Sequence, residues 1–276
     1  MEASLKRKVS NGLLYLILIV LAVFFILPIV FVAFTALKSN ADLNAHSFHS
    51  FPRELMWGNF ADAWERIKKY MGNSLLISVV KVPLGILVNA LAAFALTRLR
   101  FKWSTGMFVF ILIGMMVPMQ ATLVPLNMML NAVGLNNTYP GIMFIYLGFG
   151  IPFGILVLRG FMLAIPRELD EAAVIDGCGE LGKFFRIIVP IAMPAIATLF
   201  ILDFLATWNE FLLAQIFITK ESMQPVTAGL LTFQGQHSTD YTLLNAGVLL
   251  SIIPVMFVYV FFQKYLISGM VGAVKG

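Results

Sequence analysis

Gly177 to Lys183 carries two nucleotide-binding patterns at once. Gly177, Gly179 and Gly182 spell G-x-G-x-x-G, and Gly177 to Lys183 spells G-x-x-x-x-G-K. The first would cradle a pyrophosphate and the second a triphosphate, provided each follows a β-strand and a Ser or Thr follows the Lys to hold Mg²⁺. Phe184 stands at that last position, and the preceding residues, rich in Glu and Ala behind Pro166, favour a helix. Both patterns fail on context, so the chain is not expected to hydrolyse ATP.

A second group of residues could do work inside a membrane. Asp203, Thr207 and Glu210 fall at i, i+4 and i+7 in an apolar stretch, hence on one helix face. Ionisable groups at bilayer depth cost at least ~2.5–3.5 kcal/mol on insertion scales, so they should face a partner helix or a hydrated cavity. Two readings stand for Asp203: a translocation pathway and an interhelical polar clamp. Glu210, nearer the end of the stretch, suits a structural role. Asn209 is a further pathway candidate, and Asn89 and Asn127 are weaker ones. The histidines, His46, His49 and His237, sit in loops without metal-ligand spacing, and Cys178 is the single cysteine, which excludes an intrachain disulfide. No nucleophile and base pair can be assembled, which disfavours a membrane-embedded enzyme.

The elements that must position these groups are apolar. Of 276 residues 60% are hydrophobic and 12% charged, the composition of a polytopic helical membrane protein. Six spans are predicted, over about 13–37, 75–96, 107–130, 139–158, 187–218 and 243–266, as one transmembrane domain. The first follows Lys6, Arg7 and Lys8, is too long for a cleavable signal and contains Pro28, expected to kink it. Trp57, Trp64 and Tyr70 read as interfacial aromatics, Lys81 as a snorkelling lysine, and Met115, Met116, Met119, Met128 and Met129 as core packing around Pro118 and Gln120. Of the 19 Lys and Arg, twelve fall in segments assigned inside and six outside, with Lys81 in a span, which favours both termini inside. The positive net charge is then a loop property.

Between the fourth and fifth spans, residues 166–186 form the one polar interval too long for a connector. Pro166 is expected at the first position of a helix, with Glu168, Asp170 and Glu171 at its positive end. Leu169, Ala172, Ala173 and Asp176 recur at helical spacing as a narrow face for close contact, and Gly177 interrupts the helix before a second short piece leads to Pro190.

Glu171, Ala172, Ala173, Gly177, Ile187 and Pro190 resemble the EAA loop of ABC importer permeases, with Val189 where Leu is usual; Asp176, Met193 and Pro194 match the sugar-importer branch. The likeness extends over Asn73-Ser74, Gly134 to Thr138, Trp208 to Phe211, Pro225 to Gly229 and Gly272 to Gly276, and is greatest to the smaller permease of maltose-type systems. It implies a non-catalytic subunit of the bacterial or archaeal cytoplasmic membrane, paired with a second related permease, an ATPase dimer and an external solute-binding protein. ATP and Mg would sit on the ATPase, with no cofactor on this chain. The coupling residues would be Glu171, Ala172, Ala173, Asp176 and Gly177, with Glu171 an electrostatic anchor and the alanines the close approach. The alternative is a self-sufficient ion- or proton-coupled carrier using Asp203.

Overall fold

Helices supply the regular structure of the computed structural model, which describes residues 2–99, 101–235 and 238–274, with side chains over 11–99, 101–235 and 238–265. They are α1 (Glu2–Ala36), α2 (Asn40–Ala45), α3 (Gly58–Arg98), α4 (Ser104–Ile113), α5 (Leu123–Ala132), α6 (Tyr139–Leu163), α7 (Glu168–Ile175), α8 (Glu180–Lys183), α9 (Val189–Trp208), α10 (Leu212–Phe217), α11 (Val226–Gly229) and α12 (Tyr241–Val274). Among the described residues there is one isolated bridge, Gln234 with Thr239, and no strand. The side chains of Lys6, Arg7 and Lys8, and Arg100, His237, Lys275 and Gly276, lie outside the described residues.

Among the described residues, five stretches are long and apolar enough to cross a bilayer: Asn11–Ala36, Gly58–Arg98, Tyr139–Leu163, Glu180–Trp208 and Tyr241–Tyr265. The third expected span departs from a rod. Ser104–Met116 and Met119–Ala132 meet at 91°, because Val117 and Pro118 are extended. A proline disfavours helical geometry in the residue before it and offers no N–H to the turn, so the helix ends there. The methionines on either side are not core: Met115, Met116, Met128 and Met129 are exposed, and only Met119 packs inward.

The fifth span also ends early, at Trp208 rather than 218, and restarts as α10 after Asn209, Glu210 and Phe211. Its beginning is a continuous path from α8 through a π-helical turn, Phe184–Ile188, into α9. The wide turn lies just ahead of Pro190, whose ring and missing N–H oppose a regular turn.

Two compact units emerge, Met1–Lys68 with Leu230–Ile252, and Lys69–Gly229 with Ile253–Gly276. In the first, α1 presents an apolar, exposed surface along Leu13 to Ile29, and Pro28 lies within the helix. Lys38, fully buried, donates to the Ser47 carbonyl and Ser50 Oγ, both at 2.8 Å, and Asn59 donates to the carbonyls of Ala36 and Lys38. The Asn59 bonds satisfy the Ala36 carbonyl at the end of α1 and that of Lys38 just beyond it, and the Lys38 bonds tie the following loop together. Trp57 and Trp64 are exposed, as interfacial aromatics would be.

The second unit holds the polar groups of interest. Its cores are built from α3, α6 and α9, with small residues (Ala90, Ala93, Ala192, Ala195) at the contacts, as close helix approach in membranes requires. Tyr70 belongs to this unit and is no interfacial residue: it is 4% exposed, packs with Val82, Phe204, Trp208 and Val226, and its hydroxyl donates to Glu221 at 2.8 Å. Helix packing at a distance of about 150 residues, invisible to local spacing, overrode its position beside two exposed tryptophans.

Candidate functional site: a braced knob and a polar cavity

The knob begins two residues later than expected. Pro166 precedes the helix, Arg167 caps it with helical backbone angles, and Glu168, Asp170 and Glu171 occupy the first turn. The far end is a two-bond cap: Cys178 N–H donates to the Ala173 carbonyl at 2.8 Å and Gly177 N–H to that of Val174 at 3.0 Å. Such a cap needs a left-handed residue after the helix, and Gly177 has φ +76°. The chain then turns sharply into α8.

Ala172 and Ala173 do not share a face. Ala173 is 3% exposed and packed within the chain, whereas Glu171, Ala172, Asp176 and Gly177 are exposed. Adjacent residues on a helix point about 100° apart, so one alanine seats the helix and the other stays at the surface. The outward surface is completed by apolar side chains that belong to no motif, Val174, Ile175 (86% exposed) and Leu181. A hollow of about 490 Å³ beside them is lined by Arg98, Arg167, Asp170, Glu171, Glu180 and Lys183 among others.

Arg98 holds this knob in place. It ends α3, and its buried guanidinium donates to Asp170 Oδ2 at 2.8 Å and to the carbonyls of Met162 and Ile165 at 2.8 and 2.9 Å. One planar fork thereby satisfies carbonyls at the end of α6 while pairing with the first turn of α7. Nothing in local spacing points to Arg98, which reads from the sequence as one member of a basic cluster. The nucleotide patterns find no support: α7, not a strand, precedes Gly177, and Lys183 is folded onto Glu180 at 2.6 Å.

The polar face of α9 opens on a cavity of about 300 Å³ between α6 and α9. Asp203 and Thr207 line it from α9, Glu210 from the break after α9, and Tyr146, Phe149 and Phe153 from α6. Lys81 reaches the same cavity from α3. It does not snorkel; it is 3% exposed and pairs with Asp203 Oδ1 at 2.5 Å, because α3 packs that side chain toward a carboxylate rather than along its own axis to an interface. Gly85 and Gly150 make the room, since a Cβ on Gly150 would lie 3.3 Å from Lys81 Nζ and one on Gly85 3.4 Å from Asp203 Oδ2. Thr207 donates to the Asp203 carbonyl at 2.7 Å.

Glu210 is committed to structure. It accepts from Leu213 N–H at 2.7 Å, Ala214 N–H at 2.9 Å and the Tyr146 hydroxyl at 2.6 Å, so it caps α10 where the fifth span breaks. Asn209 is exposed at the end of α9 and does not line the cavity. Asn89 also lies apart from it, buried against Gly154, where a Cβ would collide with the Asn89 amide. Gly154→Ala should therefore destabilise the helix pair by about 1–3 kcal/mol, and adding Asn89→Ala should recover most of the loss, as read from thermal unfolding in detergent. Among the described residues no cluster of metal-ligating side chains occurs.

Comparison with known proteins gives a consistent result. Residues 81–272 match the family described as binding-protein-dependent transport system inner membrane component. A probable ABC transporter permease protein, YurM, of Bacillus subtilis (strain 168) is 37% identical over 251 residues, which are 90% of this chain and 83% of that protein. The arabinooligosaccharides transport system permease protein AraQ of Halalkalibacterium halodurans is 32% identical over 99% of this chain and 100% of its own length. A chain from the crystal structure of a bacterial ABC transporter involved in import of the acidic polysaccharide alginate superposes with a TM-score of 0.81, over 94% of this chain and 96% of that one, at 21% identity.

Proposed function

The chain belongs to the family of binding-protein-dependent transport system inner membrane components, and on that premise we propose that it is the permease subunit of an ATP-driven importer for a sugar or sugar-like solute. The relative named for arabinooligosaccharide transport supports the solute class. It works beside a second, related permease, with an ATPase dimer that carries ATP and Mg and a solute-binding protein outside, in a bacterial or archaeal cytoplasmic membrane with both termini inside. This chain hydrolyses nothing.

The observation that carries the mechanism is the knob formed by α7 and α8. A short helix with an exposed acidic and apolar surface, rigidly joined to the ends of α3 and α6, is what a lever needs if it is to sit in a moving groove. Glu171 and Ala172 meet the ATPase together with Val174, Ile175 and Leu181, while Asp176 and Gly177 set the turn. Closure of the ATPase dimer displaces the knob, and the bracing by Arg98 passes that displacement to the spanning helices, shifting the population between inward- and outward-open states. Asp203 and Thr207 line the route of the solute.

Glu171→Lys reverses the charge on the exposed face without touching the buried one. ATP-driven uptake by the reconstituted complex should fall at least about tenfold, equivalent to about 1.4 kcal/mol of coupling, while the subunits still purify together. Uptake at the unaltered rate in that variant would overturn the coupling role.

A further inference from the structure

We propose that the cavity between α6 and α9 is a binding subsite for an uncharged polyhydroxylated solute, held by Asp203 and Lys81, and that it disfavours anionic solutes. This rests on the importer reading and adds to it where in this chain the solute binds and what charge it carries.

The cavity has an unfilled hydrogen-bonding requirement. Asp203 Oδ1 is taken by Lys81, but Asp203 Oδ2 is buried and has no hydrogen-bond partner among the described residues. A buried acceptor left without a donor is costly, and native structures leave few of them. Lys81 has three donors, of which the described hydrogen bonds use one. A hydroxyl can donate to Oδ2 while accepting from an ammonium, so a compound with several hydroxyls meets both demands at once. Glu210 cannot take this role, since both of its oxygens are already engaged.

The rest of the lining suits the same ligand. About 300 Å³ is at the lower end of the range for small-molecule sites, where apolar and aromatic walls surround a few placed polar groups. Phe149 and Phe153, one turn apart on α6, offer aromatic surface to the C–H face of a sugar ring. Two carboxylates against one ammonium leave the lining with one negative charge, which repels a uronate or sulfonate. The open side does not suit lipid, because an ion pair beneath a lipid-filled crevice would be expensive.

The test uses the intact complex. Equilibrium dialysis of the purified permease and ATPase subunits, without the binding protein, against labelled maltotriose, arabinotriose and digalacturonate reads the subsite directly. ATP-driven uptake by the full complex in liposomes reads the importer. At least one neutral probe should bind, digalacturonate should bind at least about tenfold more weakly, and Phe153→Ala and the paired change Lys81→Met with Asp203→Leu should each weaken neutral binding about tenfold. Co-purification of all subunits shows that the variants assemble; the paired change leaves no unpaired charge behind. The subsite is overturned if no probe binds, if the acidic probe binds as tightly, or if both variants bind normally, the last meaning that the ion pair is only a clamp. ATP-driven uptake in the same preparations leaves the importer reading standing in each of those cases, whereas its absence with every probe removes both.

Discussion

Asp203→Ala should deplete the assembled permease from the membrane, and Lys81→Ala should do the same. Either change leaves one charge buried without its partner, Lys81 being only 3% exposed. Breaking a buried pair by truncating one side costs about 3–5 kcal/mol, a large share of the stability of a domain. Replacing both partners with apolar residues of similar size is often neutral, so Lys81→Met with Asp203→Leu should restore assembly. Quantifying the complex by size-exclusion chromatography after solubilisation checks all three. Single variants that assemble as well as the unaltered chain would mean that the pair is hydrated and contributes little. Gly150→Val should resemble the single variants, since its Cβ alone would crowd Lys81 Nζ at 3.3 Å.

Arg98→Ala should loosen the knob and disconnect it from transport. The substitution removes the partner of Asp170, leaves that largely buried carboxylate unpaired, and strips donors from the carbonyls of Met162 and Ile165. A loss of about 3 kcal/mol from this local unit corresponds to roughly a hundredfold greater opening of residues 168–183, measurable by amide hydrogen exchange. ATP-driven uptake should collapse in parallel. Arg98→Lys is expected to fall between the two, because an ammonium keeps the charge but cannot serve three acceptors with the geometry of a planar guanidinium. Unchanged exchange over 168–183 in Arg98→Ala would show that the knob is held by other contacts, with Ala173 and Ile165 the first to consider.

Much of this was legible in the chain because it depends on near neighbours. Acidic residues followed at the right distance by Gly177 mark a short helix with a left-handed stop, and the start was displaced only because Pro166 sits ahead of the cap rather than inside the first turn. The shared face of Asp203 and Thr207 follows from 3.6 residues per turn, while Glu210, expected on the same face, lies past the end of α9 and still lines the same cavity. Composition likewise leaves helices as the only economical way to cross a bilayer in this chain.

Partners far apart in the chain were not legible. Lys81 meets Asp203 across 122 residues and Tyr70 meets Glu221 across 151, while Arg98 reaches Met162, Ile165 and Asp170 from a different helix. Local spacing says which side chains share a face; it does not say which face turns to which neighbour. Lys81 therefore read as a snorkelling residue, Tyr70 as interfacial and Ala173 as a docking surface, until tertiary packing put all three inside. The hydrophobic period specifies a set of amphipathic rods and their caps, whereas close packing of small residues sets their rotation, and with it the placement of a buried charge beside its counter-charge.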